Sequence, residues 1–260
     1  MLGTVLLGLL VGFCVTMVAN YCTTVYLHRG LAHNALKTKP WLGAIFKTVL
    51  WVTTGMRERQ WVAVHRKHHA FTDENEDPHS PARMGWVRVQ LTNPALYRRV
   101  ARDDAQVAKY TRDLPQTTAD RVLFDHALLG LAVGAAILVL AFGWQVAAIA
   151  FPFHVVLYLG LSGSVNSIAH TFGRRTYATS ATNVQWLALI TAGEGLHNNH
   201  HAAPTSARLS INRREFDPSW LSIRLMAKLG WLTVRHDTPK FVAQRVSPVE
   251  VDSGVAPTEV

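Results

Sequence analysis

Polar and apolar positions fall along this chain in long blocks, not in the short alternations of a water-soluble domain. Residues 1–27 contain no Lys, Arg, Asp or Glu, and neither do residues 127–165, where His154 is the one histidine. The first block predicts one membrane span. As a helix the second would reach roughly 58 Å, about twice a ~30 Å hydrocarbon core, so it predicts two spans turned at Gly143-Trp144-Gln145.

Between these blocks the pattern changes. Trp41, Leu42, Ile45, Phe46, Val49 and Leu50 recur at helical spacing, while Gly43, Ala44, Lys47 and Thr48 fall elsewhere. Residues 41–56 reach only about 24 Å, which predicts an amphipathic helix lying in the interface plane and not a further span. The segment 57–69 continues as a charged, surface-bound helix. Residues 72–79 are acidic and end in Pro78-His79, hence a loop. Residues 86–123 are basic and polar with scattered aromatics and predict cytoplasmic helices with membrane-surface contact and no further role. Asp217-Pro218 followed by Trp220–Leu229 and Gly230 reads as a helix with Asp at the N-cap, Pro at its first position and Gly past its end. Residues 247–260 show no period and predict a disordered tail, leaving residues 1–246 as a single domain. The expected fold class is an all-α integral membrane protein: about three transmembrane helices, an interfacial amphipathic helix and a cytoplasmic helical cap.

Charge fixes an orientation. All 26 Lys and Arg lie outside the two apolar blocks, 16 in residues 28–123 and 10 in residues 166–260. The positive-inside rule places both basic segments in the cytoplasm and the N-terminus outside. The net charge of +9 is then accounted for by topology and anionic lipid, without nucleic acid. Residues 1–27 lack the basic start of a signal peptide and run straight into a histidine cluster, so they read as a retained span. Cys14 and Cys22 lie within that span and read as apolar packing residues, neither a disulfide nor a ligand pair.

The candidate chemistry is in the histidines. His197, His200 and His201 stand at i, i+3 and i+4, as do His65, His68 and His69, so each trio shares one helix face. His28 and His33 form a third cluster at a spacing that does not share a face unless the helix unwinds, which Gly30 eases. A lone His-x2-His-His is weak, since paired helical histidines often line a surface or satisfy a core hydrogen bond. Three clusters holding eight of 13 histidines outweigh that reading. Neutral imidazole is the commonest metal ligand, and eight nitrogens exceed the four that one zinc ion takes, so two metals are implied. The first two clusters must then lie on one side of the bilayer, which supports the interfacial placing of residues 41–56. Asn166 and His170 share a face at the end of the third span, where polar groups mark functional cavities. The carboxylates of Asp73, Glu74, Glu76 and Asp77 could orient metal-bound imidazoles, but most read as solvated. His126, His154 and His236 read as structural.

A nitrogen-rich two-metal site at a bilayer edge calls for a reaction there. Hydrolysis needs fewer ligands, whereas unactivated C–H bonds of lipid chains yield to oxygen chemistry at iron. Imidazole suits iron and zinc alike, so ligand type leaves the metal open.

The set His28-x4-His33, His65-x2-His68-His69 and His197-x2-His200-His201 resembles the membrane fatty-acyl desaturases of the stearoyl-CoA type. Trp61 four residues before His65, Asp77-Pro78-His79, Asn166-x3-His170 and Gly193-Glu194-Gly195 before the last cluster complete the resemblance, which runs over about residues 20–232. It implies two Fe ions held by His28, His33, His65, His68, His69, His170, His197, His200 and His201, with Asn166 holding a water near one iron. It also implies Trp61 against a kinked tunnel for the acyl chain, and O2 as co-substrate that removes two neighbouring hydrogens and leaves as water. The substrate would be a fatty acyl thioester or acyl lipid. Electrons would come from a separate protein of ferredoxin, rubredoxin or cytochrome b type with its reductase, because the sequence carries no haem-domain signature and no iron–sulfur cysteines. The expected setting is a bacterial inner membrane with the site facing the cytoplasm.

Two departures and two alternatives accompany the resemblance. The family begins with a hairpin of two spans, whereas one span precedes His28, so a first helix is absent or the start is truncated. Val62, Ala63 and Val64 stand where many acyl-CoA enzymes carry charge, which brings acyl carrier protein and phospholipid forward as carriers. A hydroxylase, an acetylenase or an alkene-forming decarboxylase would keep the same iron site. A zinc-binding membrane scaffold or receptor would keep only the ligands, and by the Irving–Williams order zinc is expected to replace iron in overproduced protein.

Overall fold

The computed structural model describes residues 1–236 and 239–245; the tail expected at 247–260 lies outside the described residues. Helix α1 (Leu2–Cys22) passes without a break into a π-helical stretch, Thr23–Ala32, giving one continuous helix of 31 residues. After the short strand β1 (Leu36–Thr38) come α2 (Pro40–Thr54), α3 (Glu58–Ala70), α4 (Pro81–Met84), α5 (Trp86–Ala101) and α6 (Asp104–Tyr110). The second apolar block forms α7 (Ala127–Phe142) and α8 (Trp144–Ser167), and α8 tightens into a 3₁₀ turn, Ile168–His170. Three short helices follow, α9 (Gln185–Ile190), α10 (His197–Ala202) and α11 (Pro218–Lys228), and then strand β2 (Leu232–Val234).

Helices Leu2–Ala32 and Trp144–His170 are long and apolar enough to cross a bilayer, whereas α7 is a shorter apolar helix of 16 residues. The turn at Gly143 falls where the sequence places it, with φ of 80° separating α7 from α8. Helices α1 and α8 form the axis of the molecule. Gly8 and Gly12 let their backbones approach, since a Cβ on Gly12 would stand 2.6 Å from the carbonyl oxygen of Ala150. His154 pins the assembly from inside: its Nδ1 pairs with the Thr16 hydroxyl on α1 (2.9 Å) and its Nε2 with the carbonyl of Thr53 at the end of α2 (2.8 Å). That agrees with its structural reading.

Helix α2 packs on α1 and α7. Leu42, Phe46 and Leu50 are buried beside Val25, Tyr26 and Leu27, while Trp41 and Ile45 face outward. The apolar stripe expected on one face is thus divided between the core and the outer surface. Helix α5 sits against the far end of α8, where the side-chain amide of Gln90 donates to Gly160 O (2.9 Å) and its oxygen accepts from Ser167 (2.6 Å).

Two features depart from the expected fold. Strands β1 and β2 pair antiparallel, Leu36 with Val234 and Thr38 with Leu232, in a molecule read as all-α. Three residues are too few for a strand period to show in the sequence. The second departure is the end of the first helix, which widens instead of unwinding.

A buried ion pair fixes that helix end to the start of α11, and the same guanidinium reaches the loop before α10. The Arg29 guanidinium grips Asp217 in bidentate fashion (2.9 and 3.1 Å) and also donates to Ala207 O and Ala192 O. Asp217 in turn caps α11 through Ser219 N, as the sequence predicts. Gly193 lies directly against this pair at φ of 110°, and a Cβ there would meet Arg29 Nη2 at 2.6 Å. Removing one partner strands a buried charge, at a cost of about 3–5 kcal/mol. Arg29→Met is therefore expected to lower the thermal midpoint of detergent-solubilised protein sharply, whereas Lys109→Met on the exposed α6 surface leaves it unchanged; calorimetry or a thermal-shift assay checks both.

Candidate metal centre

The three clusters reach one place by three local devices. On α3 and α10 the i, i+3, i+4 spacing aligns His65, His68 and His69, and likewise His197, His200 and His201. On the first helix the device is π-helical bonding, in which the N–H of His33 reaches back five residues to the carbonyl of His28 (3.1 Å). This sets the two rings 4.9 Å apart without unwinding, the correction to the sequence-based expectation. His170 arrives from the 3₁₀ turn that ends α8.

The ring nitrogens gather in two groups, each within 4.8 Å: His28, His33, His65, His69 and His200 in one, and His68, His170, His197 and His201 in the other. Within them Nε2 atoms approach one another directly, at 3.0 Å for His28 and His200, 2.8 Å for His33 and His65, 2.9 Å for His69 and His200, and 3.2 Å for His197 and His201.

Behind the inward nitrogens stand carboxylates. Glu194 accepts from Nδ1 of His28 (2.8 Å) and also from Thr24, Asp77 accepts from Nδ1 of His68 (3.0 Å), and Asp73 from Nδ1 of His170 (3.0 Å). With Nδ1–H so committed, the neutral rings of His28, His68 and His170 each turn a bare lone pair inward, where a hydrogen-bond donor or a cation can meet it. Nε2 of His170 is buried and has no hydrogen-bond partner among the described residues. Both observations fit metal ions, and an all-imidazole donor set suits a divalent transition metal. The acidic loop is thus divided: Asp73 and Asp77 orient imidazoles, while Glu74 and Glu76 are exposed, as read.

Electrostatics keep the rings ready as ligands. His33, His65, His69, His197, His200 and His201 lie well below the ordinary imidazole range, through burial first and then through neighbouring rings that would repel a second charge. Burial alone would raise the carboxyls of Asp77 and Glu194, but His68 and His28 respectively outweigh it and hold both below the usual carboxylate range.

A cavity opens from this centre between α1, α3, α5 and α8. Its walls include His28, Trp61, His65, His79, Asn93, Tyr97, Tyr158, Leu161, Asn166 and His197, and it encloses about 740 Å³ with its mouth. Trp61 lies flat on His65 at 4.9 Å, so it borders both cavity and centre. Asn166 faces the cavity and donates to Asn93 on α5 (3.3 Å). Residues 86–123 therefore do more than touch a membrane surface, because Asn93 and Tyr97 of α5 line this space. Sequence reading passed over them because one Asn and one Tyr in a basic amphipathic helix carry no pattern. Their i, i+4 spacing was the available signal.

Residues 3–213 match the model of the fatty acid desaturase family. The chain belongs to that family. It is 32% identical over 235 residues to the Delta-9 acyl-lipid desaturase 1 of Arabidopsis thaliana, covering 87% of this chain and 74% of that one. The sn-1 stearoyl-lipid 9-desaturase of Anabaena variabilis is 30% identical over 219 residues, covering 81% and 76%. The Acyl-CoA C20 Delta5-desaturase of Anemone leveillei is 33% identical over 225 residues, covering 81% and 68%. This desaturase is therefore an oxidoreductase acting on fatty acyl chains, with histidine clusters suited to metal and apolar helices suited to membrane association.

All nine histidines named in the sequence as ligands come together in this desaturase, five in one group and four in the other. His126 and His236 lie outside both groups. Cys22 packs in the core, and Cys14 lies on the outer face of α1. Removing the carboxylate behind one ligand releases its tautomer and orientation, which typically weakens metal binding about 10–100-fold. Asp73→Ala is expected to do this for one ion of two, read by metal titration with quantification of metal per chain. The pH dependence follows from the depressed imidazoles. The unfolded chain takes up protons near pH ~6.5 while the folded cluster stays neutral, so the unfolded state binds more protons and stability falls as pH falls. The thermal midpoint of metal-free desaturase is expected to drop between about pH 7 and pH 5, and to drop less when His69, His200 and His201 are replaced together.

Proposed function

We propose that this protein inserts a double bond into a fatty acyl chain, using O2 and two electrons at a pair of Fe ions held by the nine histidines. The observation that carries this reading is the paired five- and four-histidine clusters at the head of a cavity running between α1 and α8. When bound, iron supplies the oxidising chemistry that unactivated C–H bonds require.

The chain's own residues do the rest. Glu194, Asp73 and Asp77 hold the Nδ1 protons of His28, His170 and His68 outward, which leaves the inner nitrogens as ligands. Asn166, steadied by Asn93, presents a polar amide beside the four-histidine group, suited to holding a water there. Trp61 and the walls of α1 and α8 would confine the alkyl chain and exclude bulk water. Val62, Ala63 and Val64 are buried, so this turn of α3 offers no surface to a nucleotide headgroup, which favours an acyl lipid over acyl-CoA as the carrier. The names of the plant and cyanobacterial acyl-lipid relatives point the same way.

In this reading the protein is one domain over residues 1–246, integral to a membrane with the histidine centre on the cytoplasmic side, in bacteria the inner membrane. α1, α7 and α8 cross it and α2 lies in its interface, with Trp41 and Ile45 turned to lipid. Electrons arrive from a separate carrier protein with its reductase.

The test is a mass-spectrometric profile of total fatty acids and hydrocarbons from an aerobic host supplying a compatible electron donor. A new unsaturated acyl chain is expected with the intact chain and not with His200→Ala, while His126→Ala retains it. Hydroxylated acids or terminal alkenes in place of the unsaturated chain would overturn the assignment.

A further inference from the structure

His79 belongs to neither all-histidine group but lies with His68 and Asp77, their potential ligand atoms within 4.8 Å of one another, and it is among the most secluded polar side chains of the molecule, at 4% exposure. Neither of its ring nitrogens has a hydrogen-bond partner among the described residues. His154, the other buried histidine outside the ligand groups, has both nitrogens bonded to protein. Leaving a buried donor or acceptor unmet costs about 1–3 kcal/mol, so the partner of His79 has to come from whatever fills the space it faces.

That space is the acyl cavity, at the depth of the metal ligands. The ring of His79 lies 4.7 Å from that of His68 and borders the same space as Asn166 and His197. Its backbone is fixed by a bond from its own N–H to Asp77 Oδ1 (3.0 Å), the carboxylate that also orients His68. An alkyl chain threaded past the centre presents methylene groups at this depth, and methylene offers no lone pair. The acceptor left to it would be a water beside the four-histidine group, in the space that Asn166 also borders.

We propose that His79 donates a ring N–H hydrogen bond to an oxygen ligand of the metal that His68, His170, His197 and His201 would hold, in the space that His79 and Asn166 both border. His79 is thus a positioning residue for that ligand and not a metal ligand. The proposal rests on the iron reading given under the proposed function. It extends the role of the Asp77-Pro78-His79 turn from a carboxylate behind one imidazole to both an orienting carboxylate and a donor into the cavity. It also accounts for the absence of a partner for the His79 ring among the described residues.

Azide, an anion that takes the place of water on ferric iron, tests this without turnover. The 260-residue desaturase chain reconstituted with iron is titrated with azide by optical spectroscopy, and iron per chain is measured in parallel. His79→Phe keeps the ring shape and removes the donor. It is expected to retain two irons and to bind azide about 5–10-fold more weakly, as loss of one hydrogen bond implies, with His79→Gln restoring most of the affinity. Equal azide affinity in His79→Phe would overturn the proposal. Loss of one iron would overturn it in favour of a direct ligand role. A raised KM for acyl substrate with unchanged azide affinity would assign the donor to a substrate carbonyl instead. Should His79→Phe fail to accumulate, His79→Leu is judged by the same titration. Failure of the unaltered chain to hold two irons removes the functional reading itself, and is seen before any variant is made.

Discussion

Nine imidazoles are crowded into one buried site, with ring nitrogens as close as 2.8 Å. Each neutral ring has one donor and one lone pair, and where a carboxylate takes the donor the inward lone pair needs a hydrogen-bond donor or an electrophile. Three of the nine rings, those of His28, His68 and His170, are held in that condition. Asp73, Asp77 and Glu194 take the outward protons of His170, His68 and His28, burial disfavours charge on His33, His65, His69, His197, His200 and His201, and the gathered nitrogens form a donor set compatible with metal. Assembled without a cation, the cluster would be a concentration of buried, mutually repelling groups.

Bringing the rings to one point requires elements that lie far apart in the chain. The first helix carries two of them only because its last ten residues adopt π bonding, which superimposes positions five apart. Arg29 of that same stretch clamps both Asp217 at the start of α11 and the Ala192 carbonyl in the loop before α10, so the first and third clusters are registered by contacts of a residue outside both histidine groups. Gly193 is small because the clamp leaves no room for a Cβ. The polar face of α5 then closes the cavity against α8, and in doing so fixes Asn166 through Asn93. Stability and chemistry are therefore coupled: loosening the clamp or the α5 contact displaces ligands that neither of them touches.

Much of the site was legible in the sequence. Imidazoles at i, i+3 and i+4 announce a shared face, because helix geometry is local, and uncharged runs announce helices suited to lipid because transfer cost is local too. His170 and Asn166 were readable from their i, i+4 pairing at the end of an apolar run. The roles of Asp73 and Asp77 were not, since a carboxylate in an acidic turn looks the same whether it faces water or a distant imidazole. Asn93, Tyr97 and the unpartnered ring of His79 were hidden for the same reason, for each acquires its role only from what packs opposite. The β1–β2 pair was invisible because three residues are too short for a period.

The sequence by itself determined the candidate ligand type, the histidine clusters, the apolar helices that frame them and, through the cluster pattern, the family. These depend on spacing within single elements and on composition, both of which are properties of neighbouring residues. The tertiary structure alone decided how the nine rings divide into five and four, which carboxylate stands behind which ring, and that the first helix widens where it could have unwound. Each of those is set by contacts between segments up to about 190 residues apart, such as Arg29 with Asp217, and no local pattern encodes a partner at that distance.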